Sequence, residues 1–337
     1  MAKSDDIYLS IKNLLTSKEL LSYDIFFKIL NDVSDLLENE KTNYRSVARD
    51  GRAGGLIDFH KDSLPVVVIP DLHARPDFLM NILDFEIFDN CTIYEALKNK
   101  KLRLVSVGDL LHTERNTRVR WAIAGTEFDA GNFTGPAMMA EMQEGLNLES
   151  ALFSLKIAFP EYVHILKGNH ENILNQTGNG DFAFCKYADE GYMGKTFVQE
   201  YYGEDILYLI SCVEKNLPLF YFGKKCMVSH AEPKSVYTRE ELINARLEKG
   251  VVEGLTWTDN GEAMPGSVLG IIENLTEEKK WAGDYVYIGG HRPVQGNYKY
   301  RQNGLFIQIH NPSRQIITIV YSDREFNPET DIIGVKK

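Results

Sequence analysis

The clearest pattern along the chain is a series of short apolar runs that end abruptly in polar residues. The first run, Val66-Val-Val-Ile69, is rich in β-branched residues and is followed by Pro-Asp71-Leu-His73. Continuous apolar runs of this length predict strands that are buried on both faces of a sheet. Two further runs, at residues 102–107 and 163–166, alternate with helical patterns over residues 75–88 and 137–159. This alternation predicts βαβ units and a parallel sheet.

The remainder of the chain predicts a second sheet and an N-terminal helix. Shorter apolar runs separated by turn residues occupy positions 219–222, 226–229, 286–288, 305–309 and 316–320, and indicate a β-rich sheet packed on the first. Apolar side chains recur at helical spacing from Leu20 to Leu37, with Ser17 as the start signal. We expect this helix to pack on its own domain. Residues 1–50 are predicted to form a helical extension and residues 51–337 one domain, with an irregular insertion near 114–133 and a second, glycine- and aromatic-rich insertion near 177–203.

Composition and charge narrow the class of protein. The chain has 337 residues, of which 44% are hydrophobic and 25% charged, as in ordinary soluble globular proteins. Its formal net charge of -11 argues against a broad surface for nucleic acid or an anionic membrane. The four cysteines form no Cys-x-x-Cys pair, which is typical of reduced residues in a cytosolic protein. No signal-peptide pattern and no apolar run of membrane-spanning length occurs, so we predict a cytoplasmic protein without membrane partners.

Five of the apolar runs end in residues that can ligate a metal. In chain order these residues are Asp71 with His73, Asp109, Asn169 with His170, His230, and His291. Ligands of α/β sheets bind beyond the carboxyl ends of the strands, and carboxylate oxygens beside imidazole nitrogens suit a divalent transition metal. Gly108, Gly168 and Gly290 precede three of the groups, so no side chain crowds the backbone there. The pattern predicts a metal site at which five strand ends meet.

These groups resemble the motifs of the calcineurin-like metallophosphoesterases. Within that superfamily they are most similar to the phosphoprotein phosphatase branch, which includes Ser/Thr protein phosphatases and symmetrical diadenosine tetraphosphate hydrolases. The matching segments are Asp71-Leu-His73, Gly108-Asp109, Gly168-Asn-His-Glu171, His230 and Gly290-His291, with a weaker match of residues 255–259 to the family's Trp-Ser-Asp segment. The resemblance covers roughly residues 64–325. It implies an α/β fold, a four-layer α/β/β/α sandwich of two packed mixed sheets, with the N-terminal helical extension outside it.

The same resemblance implies a dinuclear metal centre. The ligands would be Asp71, His73 and Asp109 for the first ion, and Asp109, Asn169, His230 and His291 for the second. Two divalent ions, manganese, iron, zinc or similar, would share a hydroxide that attacks phosphorus in line. Asp109, as the bridge, and His170, as the general acid that protonates the leaving alkoxide, would be catalytic, and Glu171 would fix the loop. His60, His164 and His310 lie within or beside strands without this companion pattern, so we expect them to be structural.

The second motif departs from the family at the positions that handle substrate. The family's Asp that supports the general acid is His112 here, its phosphate-binding Arg is Thr113, and its Gly is Glu114. We expect a catalytic role for His112, either as a proton-relay partner of His170 or by reaching a metal. Loss of a bidentate guanidinium weakens phosphate binding unless another arginine replaces it. The candidates for that replacement are Arg75, Arg115, Arg118 and Arg292.

The leading hypothesis is a metal-dependent phosphomonoesterase, similar to Ser/Thr protein phosphatases, that acts on phosphorylated protein or a small phosphoester. A dinucleoside polyphosphate is the alternative substrate, because the aromatic residues of the two insertions could form a base-stacking wall or merely a larger rim. A nuclease is disfavoured by the acidic charge. The opposing hypothesis is a metal-binding module that has lost catalysis, motivated by residues 112–114, with the N-terminal helix as a docking element.

Overall fold

A computed structural model describes residues 2–114, 117–276 and 282–336. Within these ranges the chain forms both helices and strands. The helices are α1 (Ala2–Thr16), α2 (Tyr23–Glu38), α3 (Pro76–Leu83), α4 (Ile93–Lys98), α5 (Arg118–Asp129), α6 (Pro136–Ala158), α7 (Glu190–Tyr201), α8 (Glu204–Asn216), α9 (Arg239–Ile243), α10 (Val251–Thr256), α11 (Ser267–Thr276) and α12 (Pro328–Asp331). The strands are β1 (Leu56–Phe59), β2 (Val66–Ile69), β3 (Glu86–Phe88), β4 (Cys91–Thr92), β5 (Arg103–Ser106), β6 (Val163–Ile165), β7 (Phe220–Gly223), β8 (Cys226–Ser229), β9 (Val286–Gly289), β10 (Lys299–Arg301), β11 (Phe306–Gln308), β12 (Ile316–Val320) and β13 (Ile332–Gly334).

Most strands belong to two mixed sheets. Sheet I has the order β13-β12-β2-β5-β6, in which β2, β5 and β6 are parallel and β12 runs antiparallel to β2. Sheet II has the order β1-β7-β8-β9-β11-β10, with β8, β9 and β11 parallel. The parallel core predicted for residues 66–69, 102–107 and 163–166 is confirmed, as is the second sheet. Parallel strands place their carboxyl ends at one edge, which is where the polar groups follow.

Side chains that alternate along the strands divide the core into layers. Val66 and Val68 of β2 pack between the two sheets with Tyr221 and Ile288 of sheet II, whereas Val67 faces the helices that cover sheet I. The outer face of sheet II carries α9, α10 and α11, which pack on the other side chains of β7 and β8. A period of two therefore builds helix, sheet, sheet and helix layers. The predicted four-layer sandwich is confirmed.

The N-terminal helices share the core of the sheet I layer. Ile11 of α1 and Phe26 and Leu30 of α2 are fully buried within the same apolar cluster as α6 and α8. Packing on the same polypeptide is confirmed, although the start signal was wrong because α2 begins at Tyr23. Ser17 instead follows α1, and its hydroxyl accepts the amide of Glu19 at 3.0 Å in the connecting turn. The boundary at residue 50 stays a prediction.

Both insertions contain a helix that the sequence pattern did not predict. Helix α5 lies within residues 114–133, where Trp121 and Ala124 are its buried residues, so the expectation of an irregular segment was wrong there. Helix α7 occupies the second half of the 177–203 insertion. Among the described residues, no helix combines the length and apolar character that a membrane crossing requires.

Candidate metal centre

The strand ends of both sheets converge on one group of side chains. Sheet I supplies Asp71 and His73 after β2, Asp109 after β5 and Asn169 after β6, and sheet II supplies His230 after β8, His291 after β9 and His310 after β11. We call these seven residues the ligand cluster. His73, Asp109 and His291 have φ values of 42°, 53° and 65°. Left-handed backbone is costly for such residues and is concentrated at functional sites.

Asp109 lies at the centre of the ligand cluster. Its Oδ2 is 3.8 Å from His73 Nε2 and 3.4 Å from His230 Nε2, which approach from different sheets. His170 Nε2 lies 3.6 Å from the same oxygen. One carboxylate oxygen therefore faces imidazoles on both sides, as a bridging ligand between two ions requires.

The first side of the cluster is formed by Asp71, His73 and His310. His73 Nε2 is 3.8 Å from Asp71 Oδ2, and His310 Nδ1 is 3.5 Å from the same oxygen. The other ring nitrogen of His73 lies 3.1 Å from the main-chain oxygen of His112. That contact fixes the ring and turns Nε2 toward the carboxylates, as outer partners of metal-binding histidines do.

The second side brings the Asn169 amide together with two histidines. Asn169 Oδ1 is 2.9 Å from His230 Nε2 and 3.0 Å from His291 Nδ1. His230 Nδ1 lies 3.0 Å from the Val107 carbonyl oxygen, which fixes this ring as well. The six metal ligands predicted from the sequence are thus brought together, and their roles as ligands are carried forward as a proposal.

Glycines let the carboxylates approach the backbone closely. A Cβ atom on Gly168 would overlap Asp109 Oδ1, and one on Gly290 would overlap Asp71 Oδ1. Gly108, at φ 102°, lies so close to Gly168 that its Cβ would overlap that residue's main-chain nitrogen. The glycines beside the motif ligands are therefore required by the packing of three loops.

The electrostatics of the cluster favour bound cations. Burial lowers the pKa of His73 to about 4 and also lowers that of His230, so both rings are neutral at physiological pH and keep a lone pair for a metal. Burial, followed by the negative charges of Glu171 and Asp71, raises the pKa of Asp109 well above its usual value. Buried carboxylates this close together need cations beside them to stay ionised. The oxygen and nitrogen donors present fit divalent ions.

Glu171 holds the loops behind Asp109. Its carboxylate accepts the amides of Asp109 at 3.0 Å, Leu110 at 2.9 Å and Gly168 at 2.6 Å. Three hydrogen bonds to one buried carboxylate join the loop after β5 to the loop after β6. This contact is consistent with the loop-fixing role expected for Glu171.

His112 and His170 form a buried pair next to Asp109. Their Nδ1 atoms are 3.1 Å apart, so one donates a hydrogen bond to the other, and the ring of Phe184 lies over His170 at a centroid distance of 3.6 Å. Of the two arrangements left open for His112, the structure has the pairing with His170. The Nε2 atom of His170 remains directed toward Asp109 and the cluster.

The arginines predicted to replace the missing phosphate ligand have different surroundings. Arg75 is 4% exposed, and its guanidinium donates to main-chain oxygens of Leu72 at 2.9 Å and Asp71 at 2.6 Å and of three residues near 311–314. It holds the backbone there, which corrects the expectation that it binds phosphate. Arg118 packs near the ring of Tyr187, and Arg115 lies outside the described residues. Arg292 is 40% exposed and forms an ion pair with Asp259.

Three residues at the site were not predicted from the sequence, namely His310, Glu114 and Lys186. His310 was expected to be structural and without companions, but it lies in the ligand cluster, with its Nδ1 facing Asp71. Glu114 lies beside His310 and forms an ion pair with Lys186 of the 177–203 insertion. Position 114 had been recognised only as a lost glycine, and nothing near His310 or Lys186 in the sequence resembles a motif. Thr113 points elsewhere, because its hydroxyl donates to Glu141 at 2.7 Å.

Comparison with known proteins supports the fold. No family model matches the chain. A solved protein serine/threonine phosphatase from Saccharomyces cerevisiae, with similarity to human phosphatase PP5, is similar to this chain with a TM-score of 0.57 at 14% sequence identity, over 93% of this chain and 89% of its own. A cold-active protein-tyrosine phosphatase from a psychrophilic Shewanella species gives a TM-score of 0.45 at 14% identity, over 81% of this chain and 80% of its own. The likeness to the Saccharomyces cerevisiae phosphatase shows that the two chains share a fold.

Proposed function

We propose that the protein is a dinuclear-metal-dependent phosphoric ester hydrolase, most similar in activity to phosphomonoesterases and Ser/Thr protein phosphatases. The observation that carries the proposal is the position of Asp109 Oδ2, within 3.8 Å of imidazole nitrogens from both sheets. A single carboxylate in that position can hold two ions. A fold shared with a Ser/Thr phosphatase adds support.

The proposed ligands divide between two ions. Asp71, His73 and Asp109 would hold the first ion, and Asp109 with Asn169, His230 and His291 would hold the second. When bound, two divalent ions supply a nucleophile from water at neutral pH and neutralise phosphoryl oxygens. Manganese, iron and zinc all accept this mixture of carboxylate, amide and imidazole ligands.

His170 is the proposed general acid. Its Nε2 faces the cluster 3.6 Å from Asp109 Oδ2, and its Nδ1 is held by His112. As an imidazolium, His170 would give its Nε2 proton to the leaving oxygen and become neutral, while its Nδ1–H stays donated to His112 Nδ1, which fixes the ring orientation. Phe184 covers the ring and excludes water from that side.

Arg292 is the proposed phosphate-binding residue of the described chain. It follows the ligand His291 directly, and 40% of its side chain is exposed, so the guanidinium can leave Asp259 for a substrate oxygen. Arginine binds phosphate through two parallel hydrogen bonds. Asp259 belongs to the Trp257-Thr-Asp259 segment that resembles the phosphatase motif.

A dinucleoside polyphosphate is the second candidate substrate. Phe182, which is 40% exposed, meets Trp257 edge to face at a centroid distance of 5.3 Å. Exposed aromatic side chains of this kind can stack on a nucleobase. A phosphoprotein substrate is preferred because the motifs resemble those of Ser/Thr protein phosphatases. The cytoplasmic location remains a prediction from the cysteine content of the sequence.

The test is hydrolysis by purified protein that has been stripped of metal and then titrated with manganese. Phosphopeptide, a chromogenic phosphomonoester and a dinucleoside tetraphosphate are offered in parallel. We expect metal-dependent release of phosphate or nucleotide, and we expect Asp109→Asn to lose turnover and both ions. A wild-type protein that binds two manganese ions yet hydrolyses none of the three would support the metal-binding module instead.

A further inference from the structure

His310 lies in the ligand cluster although it belongs to none of the recognised motifs. It is fully buried, two residues beyond the end of β11. Its Nδ1 is 3.5 Å from Asp71 Oδ2 and has no hydrogen-bond partner, and its ring meets that of His73 at 5.1 Å between centroids. A buried nitrogen without a partner requires an explanation, and here it faces a carboxylate.

The two nitrogens of His310 divide between the cluster and a second carboxylate. Nε2 lies 3.3 Å from Glu114 Oε2, so it donates its proton there. The tautomer with a proton on Nε2 leaves a lone pair on Nδ1, pointed at the Asp71 side of the cluster. A histidine with one nitrogen on a carboxylate and the other toward a metal is the usual arrangement of a ligand with its outer partner.

Glu114 lies beside His310 and His73 at the edge of the ligand cluster. Its side chain is only 7% exposed, and Oε2 also lies 3.8 Å from His73 Nε2. The other oxygen, Oε1, is paired with Lys186. One carboxylate thus holds His310 on its inner side and a lysine of the 177–203 insertion on its outer side.

His164 provides a contrast. It is also fully buried and also has a ring nitrogen without a partner. That ring packs among Tyr44, Phe59 and Tyr221, and its other nitrogen meets the Glu161 carbonyl at 3.2 Å. Burial and an unpaired nitrogen alone do not make a ligand; His310 differs because carboxylates lie on both sides of it.

We propose that His310 is a fourth protein ligand of the first metal ion, together with Asp71, His73 and Asp109, and that Glu114 orients it. The inference rests on the dinuclear centre proposed above. With His310, the first ion has four protein ligands, as many as the second. Glu114, which replaces the glycine of the resembled motif, then has the role of orienting His310.

The test is manganese binding by the metal-free full-length chain, measured by calorimetry and by elemental analysis after gel filtration. Wild type is compared with His310→Ala, Glu114→Gln and the control His164→Ala, each checked for folding by circular dichroism. We expect two ions per chain for wild type and for the control. His310→Ala should bind one ion, or bind one of the two more than about 100-fold more weakly, and Glu114→Gln should weaken that same ion by about 10–100-fold.

Each outcome decides the proposal. His310→Ala with two ions at wild-type affinities overturns the role of His310 and leaves the dinuclear centre intact. Should His310→Ala fail to fold, Glu114→Gln decides, because unchanged affinities in that variant also overturn the proposal. A wild-type chain that binds fewer than two ions overturns both this inference and the proposed hydrolase, whereas two bound ions without hydrolysis contradict the hydrolase alone.

Discussion

Among single residues, His112 offers a test of the proposed general acid that leaves the proposed metal ligands in place. It supports His170 through one hydrogen bond of 3.1 Å between imidazole nitrogens. We expect His112→Ala to lower kcat by about 10–100-fold, because His170 loses the partner that orients it, while the number of bound manganese ions stays at the wild-type value. Steady-state kinetics with the chromogenic monoester measures the loss. The control is His60→Ala, whose ring pairs with Asp58 and is not part of the ligand cluster; equal effects of the two substitutions would show that His112 has no part in the reaction.

Glu214 supports the loop after His170 and gives a pH dependence of stability. Burial raises its pKa to about 8, and its two oxygens accept the Ile173 amide at 3.0 and 2.9 Å. The folded state therefore binds this proton more tightly than the unfolded state does, so stability from this group is greatest below the unfolded value near 4.5 and falls as the pH rises toward 8.

Glu214→Gln is expected to remove that fall. As the pH rises from mildly acidic to mildly alkaline, the free energy of unfolding of the variant should increase relative to that of wild type, by an amount on the order of 1 kcal/mol. Urea unfolding of both proteins across that interval measures the difference. A constant difference between them would mean that Glu214 titrates alike in the folded and unfolded chains.

The residues of the ligand cluster were predictable where they occur in motifs and not where they occur alone. Asp71, His73 and Asn169 follow apolar strands in recognisable company, so their meeting could be predicted. His310 and Glu114 act through contacts between segments about 196 residues apart in sequence, and no local spacing encodes such a pair. The structural role of Arg75 could not be predicted for the same reason, because its partners near residue 311 are main-chain oxygens, which any sequence would offer.

At the scale of elements, the N-terminal helices are part of the folded core. Phe26 of α2 is fully buried against the ring of Tyr202, whereas its neighbour Ile25 is 53% exposed. We expect Phe26→Ala to lower the free energy of unfolding by about 3–5 kcal/mol, through lost burial and a residual cavity. Ile25→Ala, the matched control, should change it by about 0.5 kcal/mol or less.

Denaturant unfolding compares the two variants. A loss at Phe26 no larger than that at Ile25 would mean that α2 is detached from the core in solution.

A buried ion-pair group joins the segment after α2 to α6, since Glu40 binds both Arg45 and Lys156. Burial alone would raise the pKa of the Glu40 carboxyl. The positive charges of Lys156 and Arg45 outweigh that effect, so the pKa lies below its usual value.

Elements were predictable in proportion to the regularity of their burial. Strand β2 is buried on both faces and appears in sequence as an unbroken apolar run. Helix α5 buries only Trp121 and Ala124 along twelve residues, so no apolar stripe marks it. Helix α6 buries side chains around much of its circumference, and its length, rather than its periodicity, made it recognisable.

For the whole molecule, the ligand cluster joins the two sheets. Sheet I supplies Asp71 and Asn169, and sheet II supplies His230 and His291. Metal binding should therefore stabilise the packing of sheet on sheet, by about 2.7 kcal/mol for each ion present at 100 times its dissociation constant. Removal of metal with a chelator should lower the thermal midpoint, and manganese should restore it. Asp109→Asn serves as the control, since its midpoint should not respond to either treatment; a wild-type midpoint that is equally unresponsive contradicts metal binding.

The separation of the ligands along the chain also bears on how the protein comes into being during synthesis. The main-chain amide of His291 donates to Asp71 at 2.9 Å across 220 positions of sequence, and β11 with His310 comes later still. Translation adds about 5–20 residues per second, so a ribosome-bound chain carries an incomplete centre for many seconds after Asp71 has emerged. Metal binding at the proposed centre would thereby be postponed until His310 has been synthesised and β11 has joined sheet II.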